Sequence, residues 1–391
     1  MVWAGFSLSL VVLVALARWN LWLAMGTATT VLGLITLSPA ELGRALLNVL
    51  ADPSIMLLAL VVTLIPLIGS VLERTGRMES LVENLRIGRR AFVGAAPAIL
   101  GMLPMPGGAL LSSPLLERAG GAPGPLRAAA NVWFRHVLLL VYPISSSLIA
   151  STKLAGLDVW AVIPYQVPAL LLAAALGYAF LLRSVRGGMN YRGAFSWPGL
   201  LVPLGIILAA PAVDLVVKEA AALPVPELAT LAGVLLSLGL ASWGRIAWTA
   251  WPRLVTGLRP WRFGLIVVGM FSYLEVFQVS GAPGLIASLP LSPQALGVGV
   301  GALLGLATGR IQAPASIIIP IYVSQAGGIT PWAFAIIYFS VWLGYIVSPV
   351  HPCLPVSVEY SGTALGPTVR ALLPPTLVAL AATLLASFWM L

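Results

Sequence analysis

Arg310 is the residue whose type and surroundings point most directly to chemistry. It lies between Gly309 and Gln312, in a stretch that is otherwise mostly apolar. A guanidinium at the centre of a membrane helix costs about 2.5–3.5 kcal/mol, so it should face a partner or a wet cavity. Its planar fork can bind a carboxylate or another oxyanion. The alternative is a structural arginine that binds the free carbonyls of a broken helix.

Two helix-breaking runs contain the candidate anion contacts. One holds Arg310 and leads to Pro314, and the other runs from Pro104 to Gly108 with two prolines and two glycines, which cannot continue a helix. Glycine lets a ligand approach bare N–H groups, and a helix N-terminus favours an anion, although the same residues could serve only to shape a turn. The predicted substrate-binding residues are Thr308, Arg310, Gln312, Ser316, Pro106, Gly107, Gly108, Ser112, Ser113 and His351.

Two further apolar segments are interrupted by proline, at Pro143 and at Pro349. Proline frees carbonyl oxygens, and free carbonyls beside hydroxyls suit a desolvated sodium ion; equally, the serines could satisfy the broken backbone themselves. His351, between two prolines, could couple protons or contact the ligand. Glu275, inside an apolar segment, could carry protons or neutralise an arginine. The predicted coupling-ion residues are Tyr142, Ser145, Ser146, Ser147, Ser348 and Glu275.

Arg135 and His136 fall well inside a predicted span. Arg135 could bind an anion, pair with an acid or anchor the helix at the membrane interface. The single cysteine, Cys353, excludes an intramolecular disulfide, and two histidines leave little for a transition-metal or haem site. We therefore expect no metal centre and no cofactor, with a sodium ion as the one bound ion that the pattern allows.

The composition excludes a soluble globular protein. Hydrophobic residues make up 60% of the chain, charged residues 8%, and the mean hydropathy is +1.01, whereas soluble domains are about 25% charged. The net charge of +9 is spread over loops, which fits arginine-rich cytoplasmic loops better than nucleic-acid binding. We expect a multi-pass protein of the lipid bilayer with no nucleic-acid partner, both termini outside, and Asp214 and Glu227 solvated at span ends.

Hydropathy predicts an all-α polytopic membrane protein with about 10 transmembrane helices plus two re-entrant hairpins. The apolar flanks of the two breaking runs are too short to cross about 30 Å of hydrocarbon, so each pair should enter and leave on one side. The predicted first half, 1–183, has spans within 1–72, a hairpin at 91–118, a broken span at 125–153 and a span at 157–182. After a cytoplasmic linker at 184–196, the second half, 197–391, has spans within 197–279, a hairpin at 291–326, a broken span at 331–361 and a span at 369–390.

Arginine placement starts the first half outside and the second inside, so the repeat should be inverted, as in secondary transporters with a midplane site. This order resembles the ion-transporter superfamily, which includes divalent-anion/sodium symporters, citrate and gluconate permeases and arsenite exporters. The stretches Leu103-Pro104-Met105-Pro106-Gly107-Gly108 and Ser348-Pro349-Val350-His351-Pro352 look most like domain-of-unknown-function family 401, a poorly characterised prokaryotic family of integral membrane proteins. The resemblance implies a homodimer in a prokaryotic plasma membrane. It also implies an elevator mechanism, in which a transport domain with both hairpins and both broken spans moves against a scaffold.

These features predict an ion-coupled secondary transporter, driven by sodium or protons, for a small organic anion such as a carboxylate. The negative charge predicted for the substrate follows from the arginines, since a cation exchanger would need acidic residues at the midplane. An oxyanion or metalloid exporter, or a proton antiporter of the same fold, stays open as the alternative. An intramembrane enzyme is disfavoured because the sequence has no paired catalytic acids, metal-binding cluster or serine–base arrangement.

Overall fold

The computed structural model describes residues 1–17, 19–103, 109–189, 191, 193–287 and 292–391. Within these ranges the chain forms twenty α-helices joined by short connections. Several shorter helices are also apolar, so the protein is a helical membrane protein, as the composition predicts. Five helices are long and apolar enough to cross a bilayer: Pro53–Arg74, Val159–Leu182, Trp197–Ala220, Trp261–Val279 and Leu365–Met390.

The first ten helices are α1 (Val2–Ala17), α2 (Leu21–Thr36), α3 (Pro39–Ala51), α4 (Pro53–Arg74), α5 (Arg77–Glu83), α6 (Arg89–Gly101), α7 (Ala109–Ala119), α8 (Gly124–Val137), α9 (Ser146–Leu154) and α10 (Val159–Gly177). α10 continues as a π-helix over Tyr178–Leu182. The local sequence determines where several of these helices begin. Ser38 and Glu41 form a capping box at α3, and Asp52 accepts from two backbone N–H groups at α4.

The second ten helices are α11 (Trp197–Ala220), α12 (Glu227–Ser242), α13 (Trp251–Leu258), α14 (Trp261–Val279), α15 (Ala282–Ala287), α16 (Gly301–Thr308), α17 (Gln312–Ala326), α18 (Pro331–Val347), α19 (Cys353–Tyr360) and α20 (Leu365–Met390). A π-helix over Ala295–Val300 leads into α16. The ten helices α11–α20 occur along the chain in the same order as their counterparts α1–α10. Packing recurs as well, because α1 packs on α2 as α11 does on α12, and α2 packs on α14 as α12 does on α4.

The predicted hairpins and broken spans correspond to helix pairs of the structure. α6 and α7 form the first hairpin, and α16 with its π-helical start and α17 form the second. α8 and α9 are separated by a break at 141–145, and α18 and α19 by a break at 348–352. Hydropathy did not predict α3 and α13, whose polar faces interrupt the apolar pattern. The number of helices that span the bilayer, the domain boundaries and the membrane orientation stay predictions.

Three arginine-rich segments form what we call the basic face: 73–90, the described residues of 183–196 (all except 190 and 192), and 240–262. Arg77 donates a hydrogen bond to the carbonyl of Leu240 at 3.0 Å, and Arg86 donates to the carbonyl of Gly193 at 2.9 Å. The segments that the charge pattern assigned to one side are therefore in contact. Further bonds of this kind run from Arg89 to Arg186 and from Arg90 to Val185.

Two acids predicted to be solvated are buried, so that prediction was wrong. Asp214 is 1% exposed and accepts from Thr230 and Trp160 of neighbouring helices, the latter at 2.7 Å, and from Lys218 of its own helix at 3.1 Å. Glu227 is 8% exposed and pairs with Lys153 at 2.9 Å. Each buried carboxylate is thus paired with a lysine, as buried charges usually are. Both acids lie away from the basic face.

Glycines let the first arm of each hairpin cross a broken span at close range. A Cβ at Gly344 of α18 would overlap the carbonyl of Ala302 in α16. In the first half, a Cβ at Gly101 of α6 would overlap the carbonyl of Arg135 in α8. Close backbone approach through small residues is the usual basis of helix packing in membranes. These two crossings bring the helix breaks and the hairpin arms together.

Candidate functional site

A cavity of about 660 Å³ lies where both hairpins meet both broken spans. Its wall includes the end of α6, the junction of α16 and α17, the start of α9 and the start of α19. Two segments that the sequence analysis did not connect with it, 19–22 and 257–266, complete the lining. Backbone that departs from helix is tolerated in a membrane protein where it lines such a cavity.

The cavity is strongly electropositive. Four arginines, Arg135, Arg259, Arg262 and Arg310, line it, and no aspartate or glutamate does among the described lining residues. Arg259 and Arg262 are exposed, Arg310 is half-buried, and Arg135 is 4% exposed. The positive charges thus extend from solvent at the basic face to the depth of the cavity. Clefts lined by one sign of charge concentrate ions of the opposite sign.

Arg135 occupies the deep end and is held loosely. Its Nη1 lies 3.4 Å from the hydroxyl of Ser112, and its Nη2 lies 3.4 Å from the carbonyl oxygen of Leu100. Both distances exceed the usual 2.7–3.2 Å of an N–H···O bond. In the described part of the chain Arg135 forms no ion pair. The guanidinium can therefore donate hydrogen bonds to an oxyanion without first breaking a strong bond.

Arg310 connects the second hairpin to α1. Its Nε donates to the carbonyl of Ala17, the last residue of α1, at 3.0 Å. Gly309, in the left-handed region with φ of 59°, ends α16 and turns the chain so that Gln312 can begin α17. One donor of Arg310 thus binds a helix-end carbonyl, as the structural alternative expects. The side chain nevertheless lines the cavity, as the anion-binding alternative expects.

Several helix ends converge on the cavity. Ser146, Gln312 and Cys353 are the first residues of α9, α17 and α19, and all three line it. Helix N-termini carry partial positive charge and free N–H groups, which suit an anion. α6 and α16 end beside the same space, and the C-terminus of a helix carries partial negative charge. Because the charged side chains are all cationic, the balance favours an anion together with a smaller cation subsite.

The three serines of the first break form such a polar subsite. Ser145, Ser146 and Ser147 line the cavity. The hydroxyls of Ser145 and Ser147 lie 3.1 Å apart, and Tyr338 donates to Ser147 at 3.0 Å. Ser147 can accept from Tyr338 while its other lone pair stays available. These residues keep the geometry that a sodium ion or a proton relay would use.

A cluster of two histidines and one cysteine lies beside Arg135. His136, His351 and Cys353 each offer a nitrogen or sulfur atom, and these atoms lie within 4.8 Å of one another. All three residues line the cavity. Tyr345 stacks on His351 with ring centroids 4.0 Å apart. Two histidines and one cysteine predicted too few ligands for a metal site, and nothing in their spacing indicates that these three residues meet.

Not every predicted site residue reaches the cavity. Arg310, Gln312, His351, Ser145, Ser146 and Ser147 do. Pro106, Gly107 and Gly108 lie outside the described residues. The remaining predicted residues bind neighbours: Thr308 to Leu304, Ser316 to Ala313, Ser112 to Arg135, Ser113 to Asn131, Tyr142 to Ile207, Ser348 to Leu306 and Glu275 to Asn48.

Most of the lining residues were not among the predicted contacts, and four of them show why. Arg259 and Arg262 belong to an arginine-rich loop, so their charge was assigned to membrane orientation. Trp22 lines the cavity, and in the described part of the chain its buried Nε1 meets no hydrogen-bond partner. The sequence around Tyr345 does not predict its place in the cavity lining, because this residue lies within an apolar helix. No sequence pattern distinguishes these side chains from loop arginines and interfacial or core aromatic residues.

The sequence matches the family described as Protein of unknown function (DUF401) over residues 3–389. The match covers nearly the whole chain, including both hairpins, both breaks and the segments that complete the cavity. No curated protein matches the sequence.

Proposed function

We propose, for a chain that belongs to the DUF401 family, the function that its cavity supports best: ion-coupled secondary transport of a small organic anion such as a carboxylate. The observation that carries this proposal is the set of four arginines, with no carboxylate among the described lining residues. The volume of about 660 Å³ is of the size that holds small molecules. Arg135 and Arg310 would bind the anion, while Arg259 and Arg262 would attract it.

Transport, rather than binding alone, is supported by how the site is built. Helix breaks at corresponding places of two similar halves, with N-termini directed at an anion and carbonyls free for a cation, are the construction of secondary transporters. The starts of α9 and α17 would contact the anion. The cavity reaches the basic face, which arginine bias assigns to the cytoplasm. The described conformation would then be open to the inside.

We further propose that α1–α10 and α11–α20 are inverted repeats. The first hairpin opens at the basic face, where Arg118 on α7 pairs with Glu83 at 3.4 Å. The loop before α20 touches Gly124 at the start of α8, on this same face. The second hairpin opens at the far end of α20, where Gln294 donates to Ser387 at 3.5 Å. These contacts support entry of the two hairpins from opposite sides.

An elevator mechanism and a homodimer complete the proposal, on the strength of the resemblance to the ion-transporter superfamily. In such a mechanism the hairpins and broken spans would move as a unit. The bond from Arg310 to Ala17 would then join the moving part to the scaffold. A homodimer predicts a particle with the mass of two 40.9 kDa chains, plus detergent, in mass photometry.

The proposal is tested by uptake into proteoliposomes. Purified protein is reconstituted, and uptake of labelled mono-, di- and tricarboxylates is followed under an imposed sodium or proton gradient. Arg135→Gln and Arg310→Gln should each lower uptake at least about tenfold, because a hydrogen bond to a charged group contributes about 1.5–3 kcal/mol. Arg253→Gln, an exposed arginine of α13 outside the lining, is the matched control and should leave uptake unchanged.

Two results would contradict this function. Wild-type protein that accumulates cations rather than anions would reverse the sign of the substrate. Full uptake by both cavity variants, with folding verified by size-exclusion chromatography, would remove the arginines from the site. Dependence of uptake on the sodium gradient or on the proton gradient identifies the coupling ion.

A further inference from the structure

Every imidazole and the single thiol of this protein meet at one point. The sequence contains two histidines and one cysteine. His136 comes from α8, His351 from the second break, and Cys353 is the first residue of α19. The Sγ atom of Cys353 lies 3.8 Å from Nε2 of His136, and the ring centroids of the two histidines lie 4.6 Å apart.

His136 is oriented as a ligand. Its Nδ1 lies 2.7 Å from the carbonyl oxygen of Val132. A carbonyl only accepts, so Nδ1 carries the proton, and Nε2 presents its lone pair toward Cys353. Metal-binding histidines are commonly held this way, with the second ring nitrogen donating to a carbonyl or carboxylate. The backbone of α8 thus fixes both the tautomer and the direction of the ring.

His351 is the observation that points to a missing ligand. It is 0% exposed, and neither of its ring nitrogens has a hydrogen-bond partner among the residues that the structure describes. A buried polar group without a partner loses about 1–3 kcal/mol, so native structures rarely keep one without a reason. Tyr345 packs against the ring face with centroids 4.0 Å apart, which leaves the ring edge to meet another atom. A metal ion would satisfy one of these nitrogens.

We propose that His136, His351 and Cys353 form a mononuclear site for a thiophilic d10 metal ion, Cu(I) or Zn²⁺. Bond lengths of about 2.0–2.1 Å to nitrogen and 2.3 Å to sulfur place tetrahedral N and S ligands about 3.5 Å apart. The observed 3.8 Å between Cys353 and His136 is close to that value. Soft sulfur and imidazole ligands select Cu(I) and Zn²⁺ over Mg²⁺ or Ca²⁺. On binding, the thiol releases its proton, and the thiolate sulfur forms the bond to the metal.

The net charge of the occupied site should make Cu(I) and Zn²⁺ differ in how they bind. Arg135 lies beside Cys353, so an uncompensated positive charge at the site is unfavourable. Cu(I) with one thiolate is neutral, whereas Zn²⁺ with one thiolate keeps one positive charge. The fourth position of a tetrahedral ion would face the cavity, where a carboxylate could neutralise Zn²⁺. We therefore expect Cu(I) to bind without an anion and Zn²⁺ to bind more tightly when acetate is present.

The test uses full-length protein in detergent, first freed of metal by a chelator. Cu(I) is titrated in competition with bathocuproine disulfonate, and Zn²⁺ in competition with a chromophoric chelator, with and without acetate. We expect one equivalent of at least one ion. We expect X-ray absorption spectra with one sulfur near 2.3 Å and nitrogen near 2.0 Å. Cys353→Ser and His351→Gln should each weaken binding at least about tenfold.

Glu359→Gln is the matched control, because Glu359 is an exposed residue of the same helix as Cys353. It should bind metal like the wild type. Metal-free thermal unfolding of each variant checks that the fold is intact, and Cys353→Ser preserves the shape of the side chain if His351→Gln does not fold. The site is ruled out if neither ion binds more tightly than about 10 μM, if Cys353→Ser binds like the wild type, or if the spectra lack sulfur. Metal binding does not depend on transport, so either proposal can fail alone.

Discussion

The indole Nε1 of Trp342 donates a hydrogen bond to the backbone carbonyl of His136 across 2.9 Å. Trp342 belongs to α18 and is 0% exposed, and its ring meets that of Trp133 edge-on at 5.3 Å. The bond joins the two broken spans at the residue that faces both Cys353 and the cavity. The position of His136 therefore depends on a helix from the other half of the chain.

Trp342→Phe should destabilise the protein and loosen the cavity. The variant removes the donor to the His136 carbonyl and leaves a void beside Trp133. The lost bond and packing should cost about 1–2 kcal/mol, since interhelical bonds in membranes are individually modest. Thermal unfolding in detergent measures the change. Trp389→Phe, an exposed tryptophan near the end of α20, serves as the control. Equal unfolding temperatures for the two variants would mean that this bond contributes little.

Gly344→Ala should force α16 and α18 apart. The added methyl group would overlap the carbonyl of Ala302, and backbone cannot yield as a flexible side chain can. Overpacking of this kind costs about 1–3 kcal/mol. Gly205→Ala in α11 is the control, because a methyl group there meets nothing within 4 Å. Urea or thermal titration should place Gly344→Ala below the wild type and Gly205→Ala at or above it.

Arg262→Gln should slow anion uptake mainly at low salt. Arg262 is exposed at the mouth of the cavity, where its charge attracts an anion over a distance. At about 0.01 M salt the Debye length is about 30 Å, and at 1 M it is about 3 Å, so the effect should vanish as salt rises. Initial uptake rates at several ionic strengths measure it, with Arg253→Gln as control. A defect that persists at high salt would instead indicate a direct contact with the substrate.

Ser145→Ala combined with Ser147→Ala should weaken dependence on the coupling ion. The two hydroxyls lie 3.1 Å apart in residues that line the cavity, and the proposed coupling site uses them as sodium ligands. The sodium or proton concentration for half-maximal uptake should rise several-fold, with a smaller change in the anion requirement. Ser151→Ala is the control, since Ser151 is a buried serine of the same helix that is not part of the lining. An unchanged ion requirement would place the coupling site elsewhere.

Helix breaks were predictable because their signals are local. Proline removes a hydrogen-bond donor wherever it stands, so the breaks near Pro143 and Pro349 could be recognised without knowing what surrounds them. Several predicted residues beside these breaks and beside Gly309 line the cavity, such as Ser145, Gln312 and His351, whereas Tyr142 and Ser348 do not. The amphipathic helix α3 was missed, because hydropathy detects continuous apolar runs and α3 buries only one face.

The parts of the site that could not be predicted depend on distant pairings. His136 and Cys353 are separated by 217 positions, and no spacing in the sequence encodes their contact. Arg262 has the composition of an ordinary cytoplasmic loop, and only the fold brings it to the cavity mouth. The environment of Asp214 shows the same limit, since two of its donors, Trp160 and Thr230, come from helices that hydropathy treats as separate spans.

The arginines of the basic face bind backbone carbonyls rather than acids. Arg77, Arg86 and Arg89 all do so. A carbonyl satisfies a donor but carries no net charge, so these bonds hold the loops together without cancelling their positive charge. We therefore expect the same side chains to attract anionic lipid headgroups as well. The hydrogen bonds that join the loops should persist as the salt concentration rises, whereas the attraction to anionic lipid should weaken.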